Sequence, residues 1–311
     1  MPELPDILLY QHVLSQRLIG AQLTRLRIIS PFVLRTFDPP VEQVESQGVS
    51  AIERIGKRIV FAMSNDARIV VHLMIAGRFR WSDQVGVKPP GKIALASFAF
   101  DRGTLHLVEP SQKKRAGIWL ARDATEARSH DPGGLDVLHA STDAFAARLR
   151  SGNHTLKRAL TDPRLFDGIG NAFSDEILHA ARLSPLKLTG SLSDAQIVQL
   201  HDAARTTLQL WTTRLLKQFA TKFPAPGDVT AFRPESAVHG KFGQACPVCG
   251  TRVQRIRYAE NDCNYCPRCQ TGGKLLADRS MSRLLKRDWP RSIDEWEAER
   301  GVAGPGTSPD D

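Results

Sequence analysis

No cysteine precedes residue 246 in this chain of 311 residues, and the five that follow fall within 24 positions. A secreted disulfide framework spreads an even number of cysteines over a small domain, so the clustering excludes that class and points to metal. No apolar run reaches the roughly 18 residues of a membrane span. The first residues, MPELPDI, carry acids where a secretion signal has basic residues and an apolar stretch. A cytoplasmic, nucleoid-associated protein with no membrane partner is expected. Acidic residues are in deficit, 33 Asp and Glu against 42 Lys and Arg, which leaves a net charge of +9. That balance favours polyanions, nucleic acid first among them, with a merely basic surface as the alternative. Internal repeats and long low-complexity tracts are absent, so a solenoid is not indicated.

What is present falls into blocks. Residues 5–18, PDILLYQHVLSQRL, space their apolar residues as a helix does, with Pro5 in the first turn, where a missing N–H costs nothing. Short Val-, Ile- and Phe-rich segments follow: LTRLRIIS, VSAIERI, KRIVFAMS, ARIVVHLMI, ALASFAF, GTLHLVE and GIWLA. Separated by Gly, Pro, Asn or Asp, they read as antiparallel strands of a sandwich. DPGG at 131–134 marks a break, and from about 141 the pattern is helical through TDAFAARLRSG, TLKRALTD, AFSDEILHAARL and a long segment ending at KQF. Because strands and helices do not alternate, a doubly wound α/β fold is excluded. The expected architecture is a multidomain α+β chain: an N-terminal β-sandwich with its helix over 2–130, a linker over 131–140, a helical domain over 141–237, a cysteine module over 238–275 and an extension over 276–311. Within that extension SIDEWEAER reads as acidic and solvated, and GVAGPGTSPDD as disordered.

The cysteine module reads CPVCGTRVQRIRYAENDCNYCPRCQ. Cys246 and Cys249, then sixteen residues, then Cys266 and Cys269 form two CxxC pairs, the donor set of one tetrahedral zinc. Four thiolates close the coordination sphere, so the zinc is expected to be structural, holding a hairpin too small to bury a core. Cys263 breaks the pairing and reads as a spare thiol. Arg252, Arg255, Arg257 and Arg268 give the hairpin a phosphate-seeking surface, although any one of them could be a solvated charge.

A second motif, DGIGNAFSDEIL at 167–178, sets a glycine turn before an amphipathic helix. Such a turn aims backbone N–H groups and the positive end of the helix dipole at one point, which suits a phosphate. With TLKRALTD before it, the segment reads as a helix–two-turn–helix element that clamps DNA backbone through Gly170 and Asn171. Lys157 is a phosphate ligand or a solvated charge, and Glu176 a functional or a helix-packing acid.

MPELPD, GIGN, VHGKFGQ and CPRCQ together resemble the formamidopyrimidine-DNA glycosylase / endonuclease VIII (Fpg/Nei) family of base-excision repair enzymes, from residue 2 to about 272. The resemblance implies that Met1 is removed and that Pro2 attacks C1′ of the damaged nucleotide. A secondary amine joined to that carbon gives an iminium, an electron sink that permits elimination of the 3′ phosphate. Glu3 would protonate the sugar oxygen, and Lys57 would contact the phosphate beside the lesion. It further implies one structural Zn2+, phosphate binding by Asn171 with Lys157 nearby, and double-stranded DNA with damaged bases or abasic sites as partner of a monomer. The implied activity is that of a bifunctional glycosylase/AP lyase. The alternative is a damage-binding protein with lyase activity only, or none.

Three departures stand out. The family's His-Leu-Gly-Met-Ser-Gly is here His72-Leu73-Met74-Ile75-Ala76-Gly77, so Met74 and Ile75 are the apolar candidates to fill the hole left by base flipping. Arg-Arg-Phe-Gly is Lys114-Arg115-Ala116-Gly117, which keeps Arg115 to face the orphaned base but loses the wedge. The zinc-hairpin arginine is Asn261, which lacks the bidentate charged grip, with Arg257 and Lys241 as the nearby substitutes.

Overall fold

The computed structural model of the protein describes residues 1–258, 261–277 and 290–299. The chain divides into two compact units, Met1–Gly134 with Gln209–Thr230, and Leu135–Leu208 with the chain from Ala231 onward. Among the described residues no helix is long and apolar enough to cross a membrane.

The first unit opens with helix α1 (Leu4–Leu18). Its start is fixed by a capping box, in which Glu3 and Asp6 each accept the other's backbone N–H, with Pro5 in the first turn. Ile7, Tyr10, Val13, Leu14 and Leu18 form its fully buried face. Eight strands follow: β1 (Gln22–Ile28), β2 (Gln47–Ile55), β3 (Arg58–Met63), β4 (Arg68–His72), β5 (Arg78–Ser82), β6 (Ala94–Phe100), β7 (Gly103–Val108) and β8 (Gly117–Ala121). Their order is β5-β7-β6-β1-β2-β3-β4-β8. Strands β1 and β2 share only two register pairs, Gln22 with Gly48 and Leu23 with Gln47, so the order divides into two four-stranded layers of a sandwich. Between them Phe61 stacks on Phe98 with centroids 5.8 Å apart and meets Phe79 edge-on at 6.1 Å.

One strand expectation is corrected, and one strand, β5, is added. ARIVVHLMI does not run on to residue 75; β4 ends at His72, and the chain turns through Met74 at φ 53°, a conformation foreign to a strand. The turn leads into β5, RFRWS, which buries Phe79 and directs Arg78 and Arg80 away from the core, as a charged edge strand does. Helix α2 (Ala124–Arg128), capped by Asp123, closes this part of the chain.

In the second unit α3 (Thr142–Arg150), α4 (Leu156–Thr161), α5 (Asn171–Ala180) and the first part of α6 (Asp194–Gln218) precede the hairpin of β9 (Gln254–Arg257) and β10 (Asp262–Tyr265). The short α7 (Pro267–Thr271) carries Cys269. SIDEWEAER is helical and largely exposed: residues 293–299 form helix α8 (Ile293–Glu299), in which Asp294, Glu295 and Glu299 face solvent while Ile293 and Glu297 are buried. Its start is tied to the cysteine module by the Ile293 N–H to Gly273 O bond at 2.9 Å and by an Arg268–Asp294 ion pair at 2.6 Å. Residues 278–289 and GVAGPGTSPDD lie outside the described residues.

Candidate active site and nucleic-acid interface

In the first unit the register brings three loops to one end of the sheet. Arg58 pairs with His72, and His72 with Gly117. Lys57 immediately before β3, the Met74–Ile75 turn after β4 and the Lys114–Ala116 loop before β8 therefore emerge side by side. The two loops touch, since a Cβ on Gly77 would lie 3.0 Å from that of Ala116. Ile75 is half exposed. Arg115 rides on a loop held from behind, because the buried Glu109 carboxylate accepts the N–H of Arg115 at 2.9 Å and of Ala116 at 3.1 Å. Lys114 adds a bond to the Glu109 carbonyl.

The N-terminus belongs to this constellation. Pro2 and Glu3 are buried, and burial pushes the Met1 α-amine below its ordinary value. Glu3 and Asp6 oppose that shift, whereas Arg78 and Lys57 reinforce it. Burial, with Arg58 and Lys57, also holds His72 down at about 4, so it stays neutral beside them. Sequence reading missed Arg78, whose Nε donates to Val229 O at 2.6 Å and whose Nη1 donates to Gly77 O at 2.7 Å. It overlooked Asp6 too, although the Glu-x-x-Asp spacing of a capping box was there to find it.

In the second unit Asn171, Arg257 and Asn261 line one cleft of about 600 Å³. Asn171 opens α5 after the Gly168 turn, at φ 76°, and the Gly170 N-cap. Its Nδ2 donates to Asp262 O at 3.1 Å, which ties the turn to the cysteine hairpin. Asn261 is exposed, and its carbonyl accepts the Tyr258 N–H at 2.8 Å. Lys241 has its Nζ donating to Pro234 O at 2.9 Å.

Lys157 requires a correction. It is buried, and its three Nζ protons go to Asn171 O at 2.6 Å, Ser174 Oγ at 2.8 Å and Asp175 Oδ1 at 2.5 Å. With its donors spent inside the fold, it positions the turn and is not a phosphate ligand. Asp175 also accepts His239 Nδ1 at 2.8 Å, Asn264 N at 3.0 Å and Asn264 Nδ2 at 3.1 Å. Burial opposes the Asp175 charge, but Lys157 and then His239 outweigh it and hold the carboxyl below its ordinary value. Glu176 resolves as a packing acid: its carboxylate takes the N–H groups of Ala237, Val238 and His239 within 2.9 Å. These consecutive acids pin the cysteine module to α5.

The Sγ atoms of Cys246, Cys249, Cys266 and Cys269 lie within 4.8 Å of one another, with Cys249–Cys266 at 3.4 Å and Cys246–Cys269 at 3.9 Å. Four thiolates at Zn–S distances of about 2.3 Å stand roughly 3.8 Å apart, so the donor set fits one tetrahedral zinc. His179 Nε2 lies 3.3 Å from Cys246 Sγ, and burial keeps this imidazole neutral, able to donate to the thiolate. Cys263 is buried in β10, outside the cluster.

A sandwich carrying a buried N-terminal Pro-Glu, joined to a glycine-turn helical unit with a four-cysteine hairpin, defines a class of DNA-repair glycosylases. Residues 1–116 match the formamidopyrimidine-DNA glycosylase N-terminal domain, and residues 134–213 its H2TH domain. The chain is 30% identical over 283 residues to a formamidopyrimidine-DNA glycosylase of Acidothermus cellulolyticus, covering 87% of this chain and 97% of that protein. An uncharacterized formamidopyrimidine-DNA glycosylase-like protein of Mycobacterium tuberculosis is 44% identical over 153 residues, 49% of this chain and 94% of its own. A solved complex of a Lactococcus lactis Fpg variant with Fapy-dG-containing DNA superposes with a TM-score of 0.77 at 25% identity, covering 87% of this chain and all of that one. The chain belongs to the Fpg/Nei family of base-excision repair glycosylases.

Proposed function

We propose that the protein is a bifunctional DNA glycosylase/AP lyase, acting as a monomer on double-stranded DNA with oxidised bases or abasic sites. Once Met1 is removed, the Pro2 amine attacks C1′ and the damaged base leaves with its bonding pair and takes up a proton; the amine then gives up its own proton, Glu3 protonates O4′ as the C1′–O4′ bond opens, and a Pro2–C1′ iminium remains. The resulting iminium draws electrons from C2′. A proton leaves that carbon, the C3′–O bond breaks with release of the 3′ phosphate, and water then hydrolyses the iminium to free the enzyme. Lys57 contacts the phosphate beside the lesion, Met74 and Ile75 fill the vacated stack, and Arg115 faces the orphaned base. Asn171 and Arg257 hold backbone phosphate. Cys246, Cys249, Cys266 and Cys269 hold one structural Zn2+, which fixes the hairpin and supplies no open position for chemistry.

The observation that carries this reading is the environment of the N-terminus. Pro2 and Glu3 are buried, and the α-amine of Met1, one residue before them, is held below its ordinary value by burial first, with Arg78 and Lys57 adding to it, so the surroundings of this chain end favour an unprotonated amine. Base release from a panel of lesion-containing duplexes tests it. Wild type releases at least one oxidised base, and Glu3→Gln lowers that rate about 10²- to 10⁴-fold. Equal rates in the two proteins, or no release from any lesion, would favour the lyase-only or non-catalytic alternative.

A further inference from the structure

Three aromatic side chains stand in the cleft of the second unit. Phe232 is 69% exposed, Phe242 41% and Tyr258 45%, and they line it together with Arg255 and Arg257. Two of the rings are held in place. Phe232 stacks on His239 with centroids 5.6 Å apart and planes 20° apart, and Asp175 fixes His239 at 2.8 Å. Gly240 sits at φ +72°, and a Cβ there would fall 2.7 Å from Phe232 Cδ1, so only glycine lets the ring rest against this backbone. Phe242 carries the Arg255 guanidinium 4.3 Å from its ring centroid, and Asp262 holds that guanidinium at 3.1 Å.

Rings presented in this way have little to offer a duplex, whose bases turn their π faces to one another. They can stack on bases that are unpaired, and a basic groove interleaved with aromatics is how proteins grip single strands. The arginines and the net charge of +9 make the complementary partner a polyanion and disfavour an apolar protein surface.

We propose that this cleft binds an unpaired stretch of DNA, stacking its bases on Phe232, Phe242 and Tyr258 and meeting its phosphates with Arg255 and Arg257. The choice of DNA rests on the repair-enzyme reading above; the stacking itself requires no catalysis. The preferred substrates would then be lesions in bubbles, gaps or single-stranded tracts, in addition to fully paired DNA.

Fluorescence anisotropy with undamaged oligonucleotides of one sequence tests this, in single-stranded, bubble and fully paired form. Wild type is expected to bind the first two more tightly than the duplex. Phe242→Leu and Tyr258→Leu keep bulk but lose the π face; each is expected to weaken single-strand and bubble binding about fivefold or more, and duplex binding by no more than about twofold. Phe242→Trp should restore the loss, and an unchanged bound-zinc content would show that the hairpin stays folded in each variant. Equal affinity of wild type for all three DNAs, or equal losses on all three in the leucine variants, would overturn the proposal. Single-strand preference without base release from any lesion would sink the enzyme reading alone; base release without that preference would sink only the stacking cleft.

Discussion

The two units depart from their family in different ways. The first keeps the Pro-Glu start, with Pro2 and Glu3 buried and Lys57 at the same end of the sheet as the Met74–Ile75 and Lys114–Ala116 loops, and it is those loops that differ. In the second, the residue at the arginine position of the hairpin is Asn261, in a cleft that displays three exposed aromatics. The difference has a chemical reason. An amine that attacks C1′ and an acid that serves the ring oxygen must each stand at one reacting atom, which leaves little freedom to exchange them. Grip on a polyanion is a sum of small contacts, so its parts can be exchanged.

If the second unit is a separately braced grip, damage to it should spare the first. The largest effect is expected on removing metal. Structural zinc supplies an apparent 10–16 kcal/mol of folding free energy in zinc-finger peptides, so chelation or Cys266→Ser should melt β9–β10 and abolish DNA binding. Hydrogen exchange should rise sharply over residues 246–270 and stay unchanged over α1; protection lost in both places would contradict the separation.

Asp175→Asn comes next. It leaves the buried Lys157 ammonium without its counter-charge and should cost about 3–5 kcal/mol, read as an earlier denaturant midpoint. The sign of its pH dependence follows from the depressed folded pKa. The Asp175 contribution is present in full above the unfolded value of about 3.9 and fades as pH falls through the lower folded value. The variant's stability should therefore converge on wild type only in acid; a constant gap down to pH 2 would rule out the charge as its source.

Smaller effects probe the grip itself. Asn261→Arg should tighten duplex binding by about 1.5–3 kcal/mol by restoring a charge-assisted phosphate contact. Unchanged affinity would mean that Arg257 already fills the role. His179→Phe removes the donor to Cys246 and should raise zinc release to a chelator about 10- to 100-fold, with little change in the folded content of the first unit. Release at the wild-type rate would reduce the 3.3 Å contact to simple packing.

Much of this comparison was legible in the sequence, for reasons that differ by element. The helix after Pro5, most of the sandwich strands and the joining of four cysteines follow from periodicity and spacing, which are local. Strand β5 was equally local, since RFRWS alternates, but its two arginines masked it. The end of β4 was not: only the turn at Met74, with Gly77 N–H bonded to Leu73 O at 2.9 Å, stops the apolar run. Lys157 shows the deeper limit. A lysine before a glycine turn looks like a phosphate ligand until the fold sets Asp175 against it. Nor could sequence place Arg78 and Lys57 around the N-terminal amine, because their convergence depends on strand register.

The central claim is that the amine of residue 2 does the chemistry. Borohydride reduction of the mature protein on an abasic-site duplex, followed by mass mapping of the adduct, tests it most directly. A covalent DNA adduct on Pro2, lost when the N-terminus is extended by a single residue, is the expected result. No adduct, or one on a lysine side chain with Pro2 unmodified, would contradict it.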